Sequence, residues 1–266
     1  MFALVSRFTS AARFGLMALG VLSALAALPG CATSHSVTAL ADGITVHTFR
    51  RDHTNAHVVS LGEAFFMVDA GLEENAPALA DDLRREGFEP ARLRAIILTH
   101  GHADHAGGAA WFRRQFGTRV IAGEADVPTL AAGANDRLCP TSDRARDRVE
   151  SDQAARFSPI VPDVRIGAEV ALEGIVGIAG TVTPLPGHTP GSLVVTIPGA
   201  ALVGDLFRGA IAGSSAEVHF YMCDLEDNRG DVRVLLERLA PTATRFFPGH
   251  FGPVSRDAVA ARFVGP

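Results

Sequence analysis

Apolar residues in this chain fall mainly into short, strand-sized blocks bounded by glycine, proline or charged residues. Residues 44–50, 57–61 and 64–68 read as strands, the last running into Asp69-Ala70-Gly71, a carboxylate at a glycine turn. The period then changes. Over residues 76–86, Leu79 and Leu83 share one face while Asp81, Asp82, Arg84 and Arg85 take the other, the pattern of an amphipathic helix. A strand at 95–98, a helix at 106–116 and a strand at 119–122 follow. Further strands are predicted at 169–172, 178–182, 193–197 and 201–203, and Arg245–Phe247 is another strand-like run. A helix over 231–239 carries Val232, Val234, Leu235 and Leu239 toward a core. Strands interleaved with helices make an α/β protein with one sizeable layered core.

Two stretches break this pattern. Residues 133–159 are crowded with Asp and Arg and poor in apolar side chains, so they read either as a solvated surface helix or as a loop over a site. At the N-terminus, Arg7 and Arg13 precede an apolar run at 16–28 that is too short to span a bilayer, which predicts a secretory signal peptide over residues 1–30. Leu28-Pro29-Gly30-Cys31 resembles a bacterial lipoprotein cleavage box. It implies a lipidated Cys31, a tether over 31–43 and a domain over 44–266. The expected location is the periplasm, with a lipid anchor at Cys31 as the membrane contact.

Charge and composition narrow the chemistry. The formal charge of −5, more negative still once Arg7 and Arg13 are removed, argues against nucleic-acid partners. All 24 basic residues are Arg, so lysine Schiff-base chemistry is excluded. Beyond Cys31 there are two cysteines, Cys139 and Cys223, which read equally as a disulfide or as two unrelated small hydrophobes.

The densest chemistry lies at Thr99-His100-Gly101-His102-Ala103-Asp104-His105, an H-x-H-x-D-H run between a predicted strand and a predicted helix. Neutral imidazoles and carboxylates are the ligands of zinc and its neighbours. Three more turns beside apolar runs each deliver a residue of the same type: Pro186-Gly187-His188-Thr189-Pro190-Gly191-Ser192, Val203-Gly204-Asp205 and Pro248-Gly249-His250. Arg208, His219 and Tyr221 are expected in ordinary core or surface roles, and His35, His47, His53 and His57 show no ligand-like context.

With these motifs in place, the chain resembles the metallo-β-lactamase-fold metallohydrolase superfamily over roughly residues 44–255, with a glyoxalase II-like ligand set. The resemblance implies a four-layer αββα sandwich holding two Zn2+ per chain. His100, His102 and His188 would take the first ion, and Asp104, His105 and His250 the second. Asp205 would bridge them, so Asp104 and Asp205 serve catalysis as well as metal binding. Asp69 is either a residue orienting a ligand imidazole or a plain turn cap. The implied reaction is attack of zinc-activated hydroxide on the carbonyl of a small ester, thioester, lactone or amide, β-lactams included. The same ligands also suit an iron-dependent persulfide dioxygenase, or a non-catalytic metal-binding lipoprotein of the envelope.

Overall fold

The computed structural model describes residues 33–265, so the expected leader and Cys31 lie outside the described residues. Two sheets face each other. The first has seven strands in simple sequential order: β1 (Ser34–Ala39), β2 (Ile44–Arg51), β3 (Thr54–Leu61), β4 (Ala64–Val68), β5 (Ile96–Ile97), β6 (Val120–Gly123) and β7 (Val164–Ile166). Strands β1 to β4 form an antiparallel meander, and β4 to β7 are parallel. The second sheet is ordered β15-β14-β11-β10-β9-β8, from β8 (Val170–Ala171), β9 (Thr181–Pro184), β10 (Leu193–Ile197), β11 (Ala200–Gly204), β14 (Arg245–Pro248) and β15 (Val254–Ser255). A small ribbon, β12 (Arg208–Gly209) with β13 (Ala216–Glu217), stands apart.

The period-2 geometry of strands explains why the central ones are apolar at every position. In β4, Phe66 and Val68 point between the sheets, where they meet Val182, Val195, Leu202 and Phe247 of the second sheet. Phe65 and Met67 point outward onto α1 (Ala76–Arg85) and α3 (Ala109–Phe116), against Leu79, Leu83 and Phe112. In β11, Leu202 faces the seam while Ala201 and Val203 pack on α8 (Leu225–Val234) and α9 (Arg256–Phe263) through Val232, Val259 and Phe263. The layers therefore run helix, sheet, sheet, helix, as expected for the αββα sandwich.

Several local expectations change. Residues 34–39, read as tether, form edge strand β1 in register with β2, from Ser34 opposite Arg50 to Ala39 opposite Thr45. Ser, His and Thr, with Val37 left exposed, suit an edge strand and give no alternating apolar pattern. The helix read at 106–116 is two: α2 (Ala103–Ala106) and α3, separated where Gly107 and Gly108 lie against the Ala70–Gly71 turn. A Cβ on Gly108 would stand 2.4 Å from the Ala70 carbonyl oxygen, so only glycine admits that approach. The helix read at 231–239 starts earlier, at Leu225, because Asp224 caps it by accepting from the backbone N–H of Glu226 and Asp227, both at 2.9 Å. It closes in a π-helical turn over Leu235–Leu239.

The polar stretch is neither one helix nor simple surface. It begins just after α4 (Val127–Ala132) and contains α5 (Asp143–Arg146) and α6 (Val149–Gln153). Cys139 and Cys223 are joined in a disulfide, which ties this stretch to the segment after β13. The remaining short helix is α7 (Glu173–Val176), between β8 and β9. Among the described residues no helix is long and apolar enough to cross a membrane.

Candidate metal centre

Every expected donor lies at a strand end on one rim of the sandwich. The H-x-H-x-D-H run follows β5 and enters α2. The His188 turn joins β9 to β10, Asp205 directly follows β11, and His250 follows β14. Buried polar side chains hold these turns. Asp69, at the end of β4, accepts from Thr99 N–H at 2.7 Å and Thr99 Oγ1 at 2.8 Å, and takes the Nδ1–H of His105 at 2.9 Å. That last bond fixes the His105 tautomer and turns Nε2 toward the other donors. Asp69 thus touches a donor imidazole and is more than a turn cap.

Asp126, in the turn after β6, does the same across the seam. Its carboxylate accepts from Gly101 N–H at 2.8 Å, Gly191 N–H at 2.8 Å and Thr189 Oγ1 at 2.7 Å, joining the His100 and His188 turns. Burial pushes its pKa up even though these donors oppose the rise. The His250 turn is held from β3: Asn55 donates to the Pro248 and Phe251 carbonyls at 2.9 and 2.8 Å, and His57 Nε2 lies 3.1 Å from the Pro248 carbonyl. His250 Nδ1 lies 2.8 Å from the His53 carbonyl, which again leaves Nε2 facing inward. Gly249 is obligatory here, since a Cβ would come within 2.3 Å of His105 Cε1 and 2.5 Å of Asp205 Oδ1.

The donor atoms converge. His188 Nε2 lies 3.1 Å from His102 Nδ1, with His100 in the same group, and His105 Nε2 lies 3.4 Å from His250 Nε2. Asp104 Oδ2 is 3.6 Å from His105 Nε2 and 3.4 Å from His250 Nε2. Asp205 Oδ2 looks toward both groups: 3.2 Å to His250, 3.3 Å to His105 and 3.7 Å to each of His100 and His188. Two imidazole nitrogens at such separations repel unless a proton or a cation lies between them. Buried His100 Nε2 and Asp205 Oδ1 have no hydrogen-bond partner in the protein, although orphaned buried polar atoms are costly. This donor chemistry, neutral imidazoles with carboxylates, fits a divalent metal such as zinc.

Ionisation follows from the crowding. Burial, followed by neighbouring imidazoles, holds His100 and His188 well below the usual histidine range, which keeps them neutral. Asp104 and Asp205 sit well below the usual carboxylate range, because the facing histidines outweigh the upward push of burial. His105 is raised despite burial by Asp205, Asp104 and Asp69.

A cavity of about 270 Å3 opens above the donors. Leu72, Leu138, Ile211, Phe220 and Phe251 supply apolar wall, and Arg144 and Arg148 stand at the edge. The charged stretch therefore roofs the site. It also reaches into it: Asp136 Oδ1 lies 2.6 Å from His102 Nε2, leaving Nδ1 toward His188, and Asn135 accepts from Ala103 N–H at 2.7 Å.

Three expectations about histidine and arginine are settled by position. His219, read as ordinary, is 3% exposed with Nε2 only 3.0 Å from Asp205 Oδ2. His53, read as bland, lines the cavity, stacks on His250 and lies 3.6 Å from Asp104 Oδ2. Arg208 lies over Phe220 at 4.3 Å, outside the cavity lining, as an ordinary structural residue. Asp126 and Asp136 were missed as well. Asp126 sits past the end of an apolar strand, the signal that picked out Asp69. Asp136 and His219 lie in loops with no glycine or proline motif to mark them.

A sandwich with imidazoles and carboxylates gathered at its strand ends is the architecture of a metal-dependent superfamily. The profile of the metallo-beta-lactamase superfamily matches residues 49–250, and the chain belongs to that superfamily. The hydroxyacylglutathione hydrolase of Anaeromyxobacter dehalogenans is 34% identical over 158 residues, which cover 59% of this chain and 48% of that protein. The chain thus spans about half the length of that relative. Among solved structures, the subclass B3 metallo-beta-lactamase BJP-1 of Bradyrhizobium japonicum aligns with a TM-score of 0.54 at 21% identity, covering 80% of this chain and 77% of that one. A mutant of the FEZ-1 metallo-beta-lactamase from Legionella gormanii aligns at 0.58 with 18% identity, covering 85% and 81%. These structures share the fold.

Proposed function

We propose that this protein is a dinuclear zinc hydrolase of a small ester, thioester, lactone or amide, a β-lactam being one member of that set. The observation that carries the reading is the convergence of donors from separate strand ends, with imidazole nitrogens 3.1 and 3.4 Å apart. His100, His102 and His188 would hold one zinc, Asp104, His105 and His250 the other, and Asp205 would bridge. When bound, such ions supply Lewis acidity that brings water toward a neutral pKa and polarises a carbonyl. The chain's own part is positional. Asp69, Asp136 and the His53 carbonyl fix three donor rings by hydrogen bonds to their outward nitrogens. The apolar walls exclude water from the substrate body, and Arg144 at the edge favours a substrate carrying a negative group. Export and a lipid anchor at Cys31 belong to the same reading; the Cys139–Cys223 bridge supports them, since disulfides persist in oxidising compartments.

The test is metal analysis of protein grown with both zinc and iron, followed by assay on lactones, thioesters and β-lactams. About two zincs per chain and chelator-sensitive hydrolysis are expected. One iron with little zinc, and oxygen uptake with persulfides, would overturn the hydrolase reading.

A further inference from the structure

His219 lies between β13 and α8, on a segment that contributes none of the expected donors. Its Nε2 is nonetheless the imidazole nitrogen nearest Asp205 Oδ2, at 3.0 Å against 3.2 Å for His250 and 3.3 Å for His105. The contact is that of an ion pair, short enough for attraction between the ring and the carboxylate. Nε2 is buried and has no hydrogen-bond partner in the protein, the condition also found at His100 Nε2. The ring is fixed on both sides, stacked on His250 at 5.0 Å and edge-on to His188 at 4.9 Å. The ligand-type atoms of His188, Asp205 and His219 all lie within 4.8 Å of one another.

The far side of the ring completes the pattern. Nδ1 lies 3.1 Å from the Tyr221 carbonyl oxygen and 3.2 Å from the Tyr221 N–H. The first contact selects the tautomer with a proton on Nδ1 and a bare Nε2; the second selects the reverse. A cation at Nε2 requires the first, in which the ring donates to a backbone carbonyl as metal-bound histidines commonly do. The Cys139–Cys223 disulfide and the bond from Thr141 N–H to the Phe220 carbonyl, 2.9 Å, hold this segment against the roof, so the ring is positioned before any ligand arrives.

We propose that His219 is a further ligand of the metal centre, donating through Nε2 beside His188 and Asp205. This rests on the metal-centre reading above and adds to it an imidazole outside the H-x-H-x-D-H and glycine-turn motifs. The group of His100, His102 and His188 would then number one more protein donor than that of Asp104, His105 and His250.

The experiment uses His219→Ala and His219→Gln in the otherwise intact protein, with circular dichroism to check folding. Zinc affinity is measured by competition with a chromophoric chelator, and the cobalt-substituted proteins are compared by visible absorption. Both variants should bind one ion about 100-fold more weakly or worse, with altered cobalt bands, and added imidazole should restore the bands in His219→Ala. Affinities within threefold of wild type and superimposable cobalt spectra in both variants would overturn the ligand role while leaving the centre standing. Wild-type protein that binds neither metal would overturn the centre itself, and the ligand role with it.

Discussion

The floor of the cavity and its roof are held in different ways. On the floor, three of the four donor turns are tied by buried charged or amide groups to a neighbouring strand end: Asp69 to Thr99 and His105, Asp126 to Gly101, Thr189 and Gly191, Asn55 to Pro248 and Phe251. The roof consists of α5, α6 and the segment after β13. Short helices, exposed pairs such as Arg148 with Asp152, and one covalent cross-link hold it. Buried bonds in a low-dielectric setting are expensive to lose, whereas exposed ion pairs contribute little. The floor can therefore hold its donor atoms to within tenths of an ångström, while the roof, apart from the contacts of Asp136 and His219 with the donors, is free to vary in what it admits.

The contrast is broken most severely at Asp126. Asp126→Ala orphans the Gly101 and Gly191 backbone N–H groups at once, at about 1–3 kcal/mol each, and leaves the Thr189 hydroxyl only Ser192 as partner, so urea unfolding should show a loss of roughly 3–5 kcal/mol. Removing the roof's cross-link should cost less. Cys139→Ser with Cys223→Ser is expected to lower stability by about 2–4 kcal/mol. KM should rise, while the donors on the floor keep their own ties; metal affinity should fall only as far as His219, which the bridge helps to position, contributes to it.

A third test uses pH. His57, wedged between Thr48 and the Pro248 carbonyl behind the floor, has its pKa lowered by burial from 6.5 to about 4. Between those values the unfolded chain takes up a proton that the folded chain refuses, so stability falls as pH drops through this window. The total is up to about 3 kcal/mol. His57→Gln should flatten that limb of the curve of unfolding free energy against pH. The smallest effect belongs at the roof's edge. Arg144→Ala should raise KM severalfold for substrates bearing a carboxylate, leave neutral analogues unaffected and preserve metal content.

The same division decides how much could be read from sequence. The floor's donors announce themselves locally, because a strand must end before its side chains can converge, and glycine and proline mark those ends. His100, His102, Asp104, His105, His188, Asp205 and His250 all carry that mark, and the layered fold follows from the strand and helix periods around them. Asp136 and His219 carry no such mark. Their positions depend on how a charged stretch folds back and where a disulfide pins it, which are long-range facts. Strand β1 escaped notice for a related reason: an exposed edge strand pairs through its backbone and needs no apolar side chains.

The strand ends are also shared out between the sheets in a particular way. His100 and His102 belong to the first sheet and His188 to the second; Asp104 and His105 belong to the first, and His250 and Asp205 to the second. Neither sheet alone owns a complete set of three donors. Each bound ion would therefore act as a clasp between two half-proteins, and ion capture would report that both halves had formed and docked. Stripping the ions should then loosen the join at this rim before it loosens either sheet, while the apolar seam and Asp126 still hold the two sheets together.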